Sequence, residues 1–222
     1  MKTYTMLFTL LLIAVAGHAQ TDKEQLALAI SNADEANTKQ LMQYIWKRKS
    51  DVSIDGELKL TTISEFSFDE QGKLQSKVVD AESTVKQKPG IRGRIQESKV
   101  DNKAEYVQKA LELSVAYTYM SKGQLLDFLS KAIVVEVDGM LEAGATDVYM
   151  KGDRLVIWVD KATNLYMKKK FSSMLGEDPI DGEITYEKFS SGINHGSTTV
   201  LNMPAQKMKI DAVNQDYAQR VK

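Results

Sequence analysis

Val52-Ser53-Ile54-Asp55-Gly56-Glu57-Leu58-Lys59-Leu60 alternates residue by residue, with apolar or small side chains at even positions and polar ones at odd positions. A period of two puts each set on its own face of an extended chain, the pattern of a half-buried antiparallel strand. Next, Ile63–Phe68 sets Phe66 and Phe68 on one face. Asp69-Glu70-Gln71-Gly72 then supplies turn chemistry before a third strand over Lys73–Asp80. An early three-strand meander is the expectation around which the rest is arranged.

Toward the N-terminus, Thr21-Asp22-Lys23-Glu24 fits a capping box. Leu26, Ile30, Ala33, Asn37, Leu41 and Tyr44 follow at helical spacing. They predict a helix to about Trp46, with Ser31-Asn32 as a point of division and Lys47, Arg48 and Lys49 as cations suited to its C-terminus. Residues 1–19 read as a secretory signal peptide cleaved after Ala19. Lys2 is their only charge, Met6–Ala16 is apolar apart from Thr9, and Gly17-His18-Ala19 offers small residues at the cleavage site. The apolar run spans about 16 Å as a helix, half of a ~30 Å hydrocarbon core, too short for an anchor. No later run approaches 18 apolar residues, so no membrane-spanning segment is expected. Residues 20–222 then form a single domain, periplasmic or secreted.

Toward the C-terminus, Ala81–Val100 reads as a loop with Pro89-Gly90 and the cations Lys86, Lys88, Arg92 and Arg94. Asn102 with Glu105 predicts a helix to about Met120, and Ser121 with Gln124 starts a shorter one through Leu125, Leu129 and Ile133. Six strands follow, over Thr146–Met150, Arg154–Asp160, Leu165–Phe171, Gly182–Phe189, Ser197–Met203 and Lys207–Ala212. Their short connections leave no room for crossover helices, so the sheet is antiparallel. About nine strands must curl. The expected class is α+β: a strongly curved antiparallel β-sheet, or half-barrel, whose concave face is covered by the N-terminal helix and a central helical hairpin.

The chain has no cysteine, which excludes disulfides, thiolate metal sites and lipobox acylation. A net charge of −1 gives no overall field to attract nucleic acid, and none is expected as a partner. His195 is the only histidine after residue 19, so two-imidazole metal sites are excluded. Ser190, Ser191 and Ser197 lie near it in sequence, but without a G-x-S-x-G elbow His195 reads as a polar turn residue. Glu177, Asp178, Asp181 and Glu183 surround Pro179, which breaks a calcium-loop pattern and leaves an acidic hairpin tip. The basic loop from Lys86 to Arg94 could touch anionic lipid or a partner, with a solvated loop as the default.

No catalytic residue, metal or cofactor is expected. The apolar strand residues carry the functional expectation. Most are ordinary core, but a curved sheet can leave apolar space beneath its helices. Leu58, Leu60, Phe66, Phe68, Trp158, Met167, Ile184 and Tyr186 are the candidates to line it. A non-enzymatic envelope protein binding a lipid or a lipoprotein acyl chain is the leading reading. The alternative is an interaction module with a filled core that holds an envelope protein, and a carboxylate-dependent hydrolase is a remote third.

Gly152-Asp153-Arg154-Leu155-Val156-Ile157-Trp158-Val159-Asp160-Lys161-Ala162-Thr163-Asn164-Leu165, Ile180–Tyr186 and Asn214-Gln215-Asp216-Tyr217 give the chain a family likeness. With the order helix, strands, helical lid, strands, it resembles the LolA/LolB-like superfamily of periplasmic lipoprotein carriers and outer-membrane lipoprotein-sorting proteins. The resemblance implies that fold, an acyl ligand, and an arginine on an early strand that holds the lid closed. The early strands read from the sequence, Val52–Asp80, contain no arginine. The acylated N-terminal cysteine of the receptor also has no counterpart.

Overall fold

The computed structural model describes residues 23–83 and 91–220, with side chains throughout except at residues 91–102. The signal-peptide reading of residues 1–19 and the cations Lys86, Lys88, Arg92 and Arg94 lie outside the residues or side chains described.

A first helix, α1 (residues 23–41), turns its face through Ala27, Ile30, Ser31 and Leu41 inward at three- and four-residue steps. It runs unbroken through Ser31-Asn32. Strand β1 (Tyr44–Ile54) follows at once, so Trp46, Lys47, Arg48 and Lys49 belong to a strand and not to a helix end. Strand β1 ends in the turn Asp55-Gly56, whose φ angles of 53° and 78° are those of a two-residue type I′ hairpin. The alternation over Val52–Leu60 is therefore two strands meeting, with β2 (Glu57–Phe68) and β3 (Leu74–Ser83) completing the meander.

Helix α2 (Ile91–Thr118) begins inside the stretch expected to be loop, so Asn102 and Glu105 lie mid-helix. The expected restart is present: the Ser121 side chain accepts from the Gln124 amide, and the Gln124 side chain accepts from the Ser121 amide. This capping box opens α3 (Lys122–Lys131). Helix α3 stops before Ile133, which starts a hairpin of β4 (Ile133–Val137) and β5 (Met140–Thr146). The hairpin turns on Asp138-Gly139, with φ angles of 51° and 76°. Of the strand expected over Thr146–Met150, Thr146 is the last residue of β5 and residues 147–150 are bend. The remaining strands are β6 (Arg154–Asp160), β7 (Tyr166–Leu175), β8 (Asp178–Lys188), β9 (Asn194–Met203) and β10 (Met208–Gln219).

All ten strands form one antiparallel sheet in the order β3-β2-β1-β10-β9-β8-β7-β6-β5-β4. The class is α+β, an open half-barrel, as expected. The chain passes from edge strand β3 to edge strand β4 through α2 and α3, which lays both helices across one face. Near the end of α2, Tyr117 stacks on Phe171 of β7 at 4.1 Å while Tyr119 meets Phe68 of β2 edge-on at 5.7 Å. Strands β2 and β7 stand five places apart, about 24 Å along a flat sheet. A sheet curled around the helix brings both within reach of residues two apart.

The inward face splits into two cores. The larger packs Leu155, Ile157, Phe171, Ile184, Leu201 and Ile210 against Val107, Ala110, Tyr117, Leu125 and Phe128. A smaller one gathers Leu41, Trp46, Phe66, Phe68 and Ile193 at the other end. Among the described residues, no helix is long and apolar enough to cross a membrane.

Candidate functional site

The last carbonyls of a helix have no partner within it, and α2 has its own satisfied by the sheet. Tyr149 Oη donates to the Ala116 carbonyl at 2.6 Å. Lys169 Nζ donates to the carbonyls of Tyr117 at 3.3 Å and Thr118 at 2.9 Å, and Tyr186 Oη reaches the Thr118 carbonyl at 3.2 Å. A cation suits a helix C-terminus, where the macrodipole is negative. Lys169 is nevertheless wholly buried, with its ammonium 3.8 Å from the Tyr166 ring centroid. Burial draws it down to about 8 from the ordinary 10.5, against the opposing pull of Asp34 on α1. Burial in turn raises the Asp34 carboxyl, against the opposing pull of Lys169.

Tyr117 Oη donates to the buried Asp153 at 2.6 Å, and Asp153 also accepts from the amides of Val148, Tyr149 and Met150. That carboxylate binds the β5–β6 loop to the end of the lid.

At the β1 side, Trp46 stacks on Phe66 and Tyr217, with ring centroids 5.9 and 5.5 Å apart. Arg48 lies beside them on the inward face of β1, 2% exposed. It corrects the expectation that the early strands lack an arginine: β1 begins at Tyr44, eight residues before the first strand read from the sequence. Its Nε donates to Asn214 Oδ1 of β10 at 2.8 Å, and its guanidinium carbon stands 4.6 Å from the Phe66 ring centroid.

A cleft of about 620 Å³ opens between α1, the β2–β3 hairpin and the α2–α3 junction. Met42, Phe68, Leu74, Val115, Tyr119 and Met120 give it apolar walls, and Glu35, Lys39, Lys73 and Lys122 stand among its other lining residues. Lys122 bridges α3 to α1 through Glu35 at 2.8 Å and Asn32 at 3.2 Å. The hydrogen bonds from Lys122 and Lys39 pull the Glu35 carboxyl down to about 2. A second, apolar cleft of about 180 Å³ lies where Val52, Ile54, Leu60 and Met208 meet Ala104 and Val107 of α2.

The structure disperses the eight residues proposed from the sequence. Phe68 lines the larger cleft and Leu60 the smaller. Phe66 is buried in the aromatic core, and Ile184 in the main core. Tyr186 is half-buried under the end of α2, bonded to Thr118. Leu58 and Met167 are exposed. Trp158 alternates with the inward Leu155, Ile157 and Val159, so it lies on the opposite face, where its Nε1 donates to Glu142 at 2.9 Å.

His195 is not a solvated turn residue. It is buried on β9 between Phe189 and Tyr217, at 4.3 and 4.5 Å, with Nδ1 3.2 Å from the Gly196 carbonyl. The acidic cluster is spread along β8: Asp181 accepts from Ser172, Asp178 from Gln206, and Glu183 pairs with Lys168 and Lys170.

No family model and no curated protein matches the chain. Solved structures similar to it include the following three. A DUF1329 family protein from Desulfovibrio piger is 12% identical, over 90% of this chain and 93% of that one, with a TM-score of 0.42. A domain from Vibrio parahaemolyticus, described as an outer membrane lipoprotein-sorting protein, is 13% identical over 86% and 91%, with a TM-score of 0.41. A LolA superfamily protein from Nitrosomonas europaea is 10% identical over 85% and 94%, with a TM-score of 0.39.

Proposed function

We propose that residues 20–222 form one exported, non-enzymatic carrier domain that holds an apolar ligand, a lipid or a lipoprotein acyl chain, beneath its helical layer. The observation that carries this reading is the 620 Å³ cleft with apolar walls and charged residues among its lining. Its size falls within the range of ligand sites, and its two kinds of lining suit a molecule with an apolar chain and a polar head. Each methylene removed from water contributes about 0.8 kcal/mol.

The main core under α2 is packed, so a chain reaching deeper than the cleft requires the α2–α3 junction to move. The contacts holding that junction to α1, Lys122 to Glu35 and Lys23 to the Ser130 carbonyl, are exposed. Exposed contacts of this kind are screened by solvent and yield readily.

Val115→Trp, which fills the cleft from α2, should weaken binding of a fluorescent C12 acyl probe by about tenfold or more, 1.4 kcal/mol, with an unchanged far-UV circular dichroism spectrum. No binding by the native chain, or equal binding by the variant, overturns the reading. Export predicts an envelope-isolated protein whose N-terminal sequence begins at Gln20.

One observation favours a second reading, a module that docks a partner protein along a sheet edge. Ile133, Val135 and Val137 share one face of edge strand β4 and are 77, 46 and 45% exposed. Val135→Lys should then abolish a native association detected by crosslinking, and an association that survives the substitution removes this second reading.

A further inference from the structure

Arg48 is buried, yet among the described residues no carboxylate forms an ion pair with it. A guanidinium cannot shed its proton at working pH, and an unpaired buried charge is costly. One bond, Nε to Asn214, is satisfied, while the buried Nη2 has no partner.

Two further buried donors nearby are also without partners, Trp46 Nε1 and Tyr119 Oη. Trp46 precedes Arg48 by two residues and shares its strand face. Its ring stacks on the same Phe66 that lies under the guanidinium, and sits 6.5 Å from the Tyr119 ring. The ionisable groups that act on Arg48 are all tyrosines, Tyr119, Tyr217 and Tyr186. Three buried polar groups thus lack a hydrogen-bond partner, and among the described residues no carboxylate balances the positive charge beside them. A neutral partner could satisfy the hydroxyl and the indole, but only an anion balances the charge. The forked guanidinium matches carboxylate and phosphate oxygens.

Tyr119 also lines the 620 Å³ cleft, beside Phe68. Its ring thus belongs both to the cleft lining and to the aromatic group around Trp46 on the Arg48 face, and a turn of that one side chain is what the receptor requires to admit a ligand head from the cleft.

We propose that Arg48, Trp46 and Tyr119 form an internal receptor for an oxyanion, a carboxylate or phosphate, and that it takes the anionic head of the ligand whose chain lies in the cleft. The second half rests on the acyl-ligand reading above, and the first does not.

The test compares laurate, dodecanol, acetate and inorganic phosphate on the mature protein, by calorimetry and by Trp46 fluorescence. Laurate should bind roughly ten- to a hundredfold tighter than dodecanol, the ratio a charge-assisted hydrogen bond sustains. Arg48→Met should erase that preference, bringing laurate down to within about twofold of dodecanol on the same variant. Tyr119→Phe and Trp46→Phe should each reduce it in part, and they serve if the Arg48 variant does not fold. Acetate or phosphate binding that depends on Arg48, with neither C12 probe bound, keeps the receptor and removes the acyl reading. Equal affinity for laurate and dodecanol in the native chain overturns the receptor and leaves the acyl reading standing. A laurate preference that survives Arg48→Met, or no binding of any probe, also overturns the receptor.

Discussion

Replacing Lys169 by methionine should remove a rise of stability with pH that the native chain shows above neutrality. The folded ammonium sits at about 8, drawn down by burial beneath α2, while the unfolded chain returns it to the ordinary 10.5. Between those values the unfolded state binds the proton and the folded state does not, so stability grows with pH across that window. At 1.36 kcal/mol per pKa unit, the full span is about 3 kcal/mol, and the part between pH 7 and pH 9 is about 1 kcal/mol. Buried tyrosines act in the opposite direction. Burial lifts the Tyr117 and Tyr149 hydroxyls above the ordinary 10, so the folded state keeps protons that the unfolded state loses, and stability falls above pH 10.

Those tyrosines are common to both proteins, so the difference between native and Lys169→Met isolates the lysine. Methionine is unbranched and fills a lysine-shaped space, and the Thr118 carbonyl keeps its bond from Tyr186. The assay is urea denaturation of both proteins at pH 7, 8 and 9, reading midpoint and slope. The native chain should gain about 1 kcal/mol on the variant across that range. Parallel pH profiles, or a native chain that loses ground as pH rises, would refute the assignment of a buried, charge-bearing Lys169.

Gly182 faces Phe171 across the β7–β8 ladder, and a Cβ at position 182 would lie 2.1 Å from Phe171 Cε1 and 2.2 Å from Cζ. Because Tyr117 holds that ring from above, Gly182→Ala should cost about 1–3 kcal/mol in chemical denaturation, and Phe171→Leu in the same chain should recover part of it. Tyr117→Phe removes the hydroxyl bonded to the buried Asp153 and should cost about 1.5–3 kcal/mol. Hydrogen exchange should report the loss first at the amides of Val148 and Tyr149, which share that carboxylate.

The sheet was legible in the sequence wherever apolar and polar residues alternate, and the α3 start wherever a side chain caps it. Two Asp-Gly turns conceal strand boundaries. The pair Asp55-Gly56 keeps the alternation in step through a hairpin, and Asp138-Gly139 lies just beyond Ile133, to which the helical spacing of α3 carries on, so that β4 and β5 are masked. The charged interior was legible in principle but needed the strand assignments first. Lys47-Arg48-Lys49 and Lys168-Lys169-Lys170 are both basic triplets on strands. Alternation sends the middle cation of each to the face opposite its neighbours, so Arg48 and Lys169 are buried while the flanking lysines meet Asp216, Asp51 and Glu183 outside. The orphaned bonds at Trp46 and Tyr119 have no sequence signal, because they depend on where the end of α2 comes to rest.

Pairing of β1 with β10 places the earliest and latest strands side by side, with Arg48 opposite Asn214. Apart from the helical strap, that single ladder joins a three-stranded wing to a seven-stranded one. Until residues near 208–219 arrive, β1 presents an unpaired border, and the wing it belongs to has nothing to complete it. Closing a loop of some 166 residues makes this the most non-local ladder of the sheet, the others joining strands that are consecutive in the chain. A chain cut short before β10 would thus be two fragments of sheet on a tether, each with a sticky margin, rather than a slightly smaller version of the same protein.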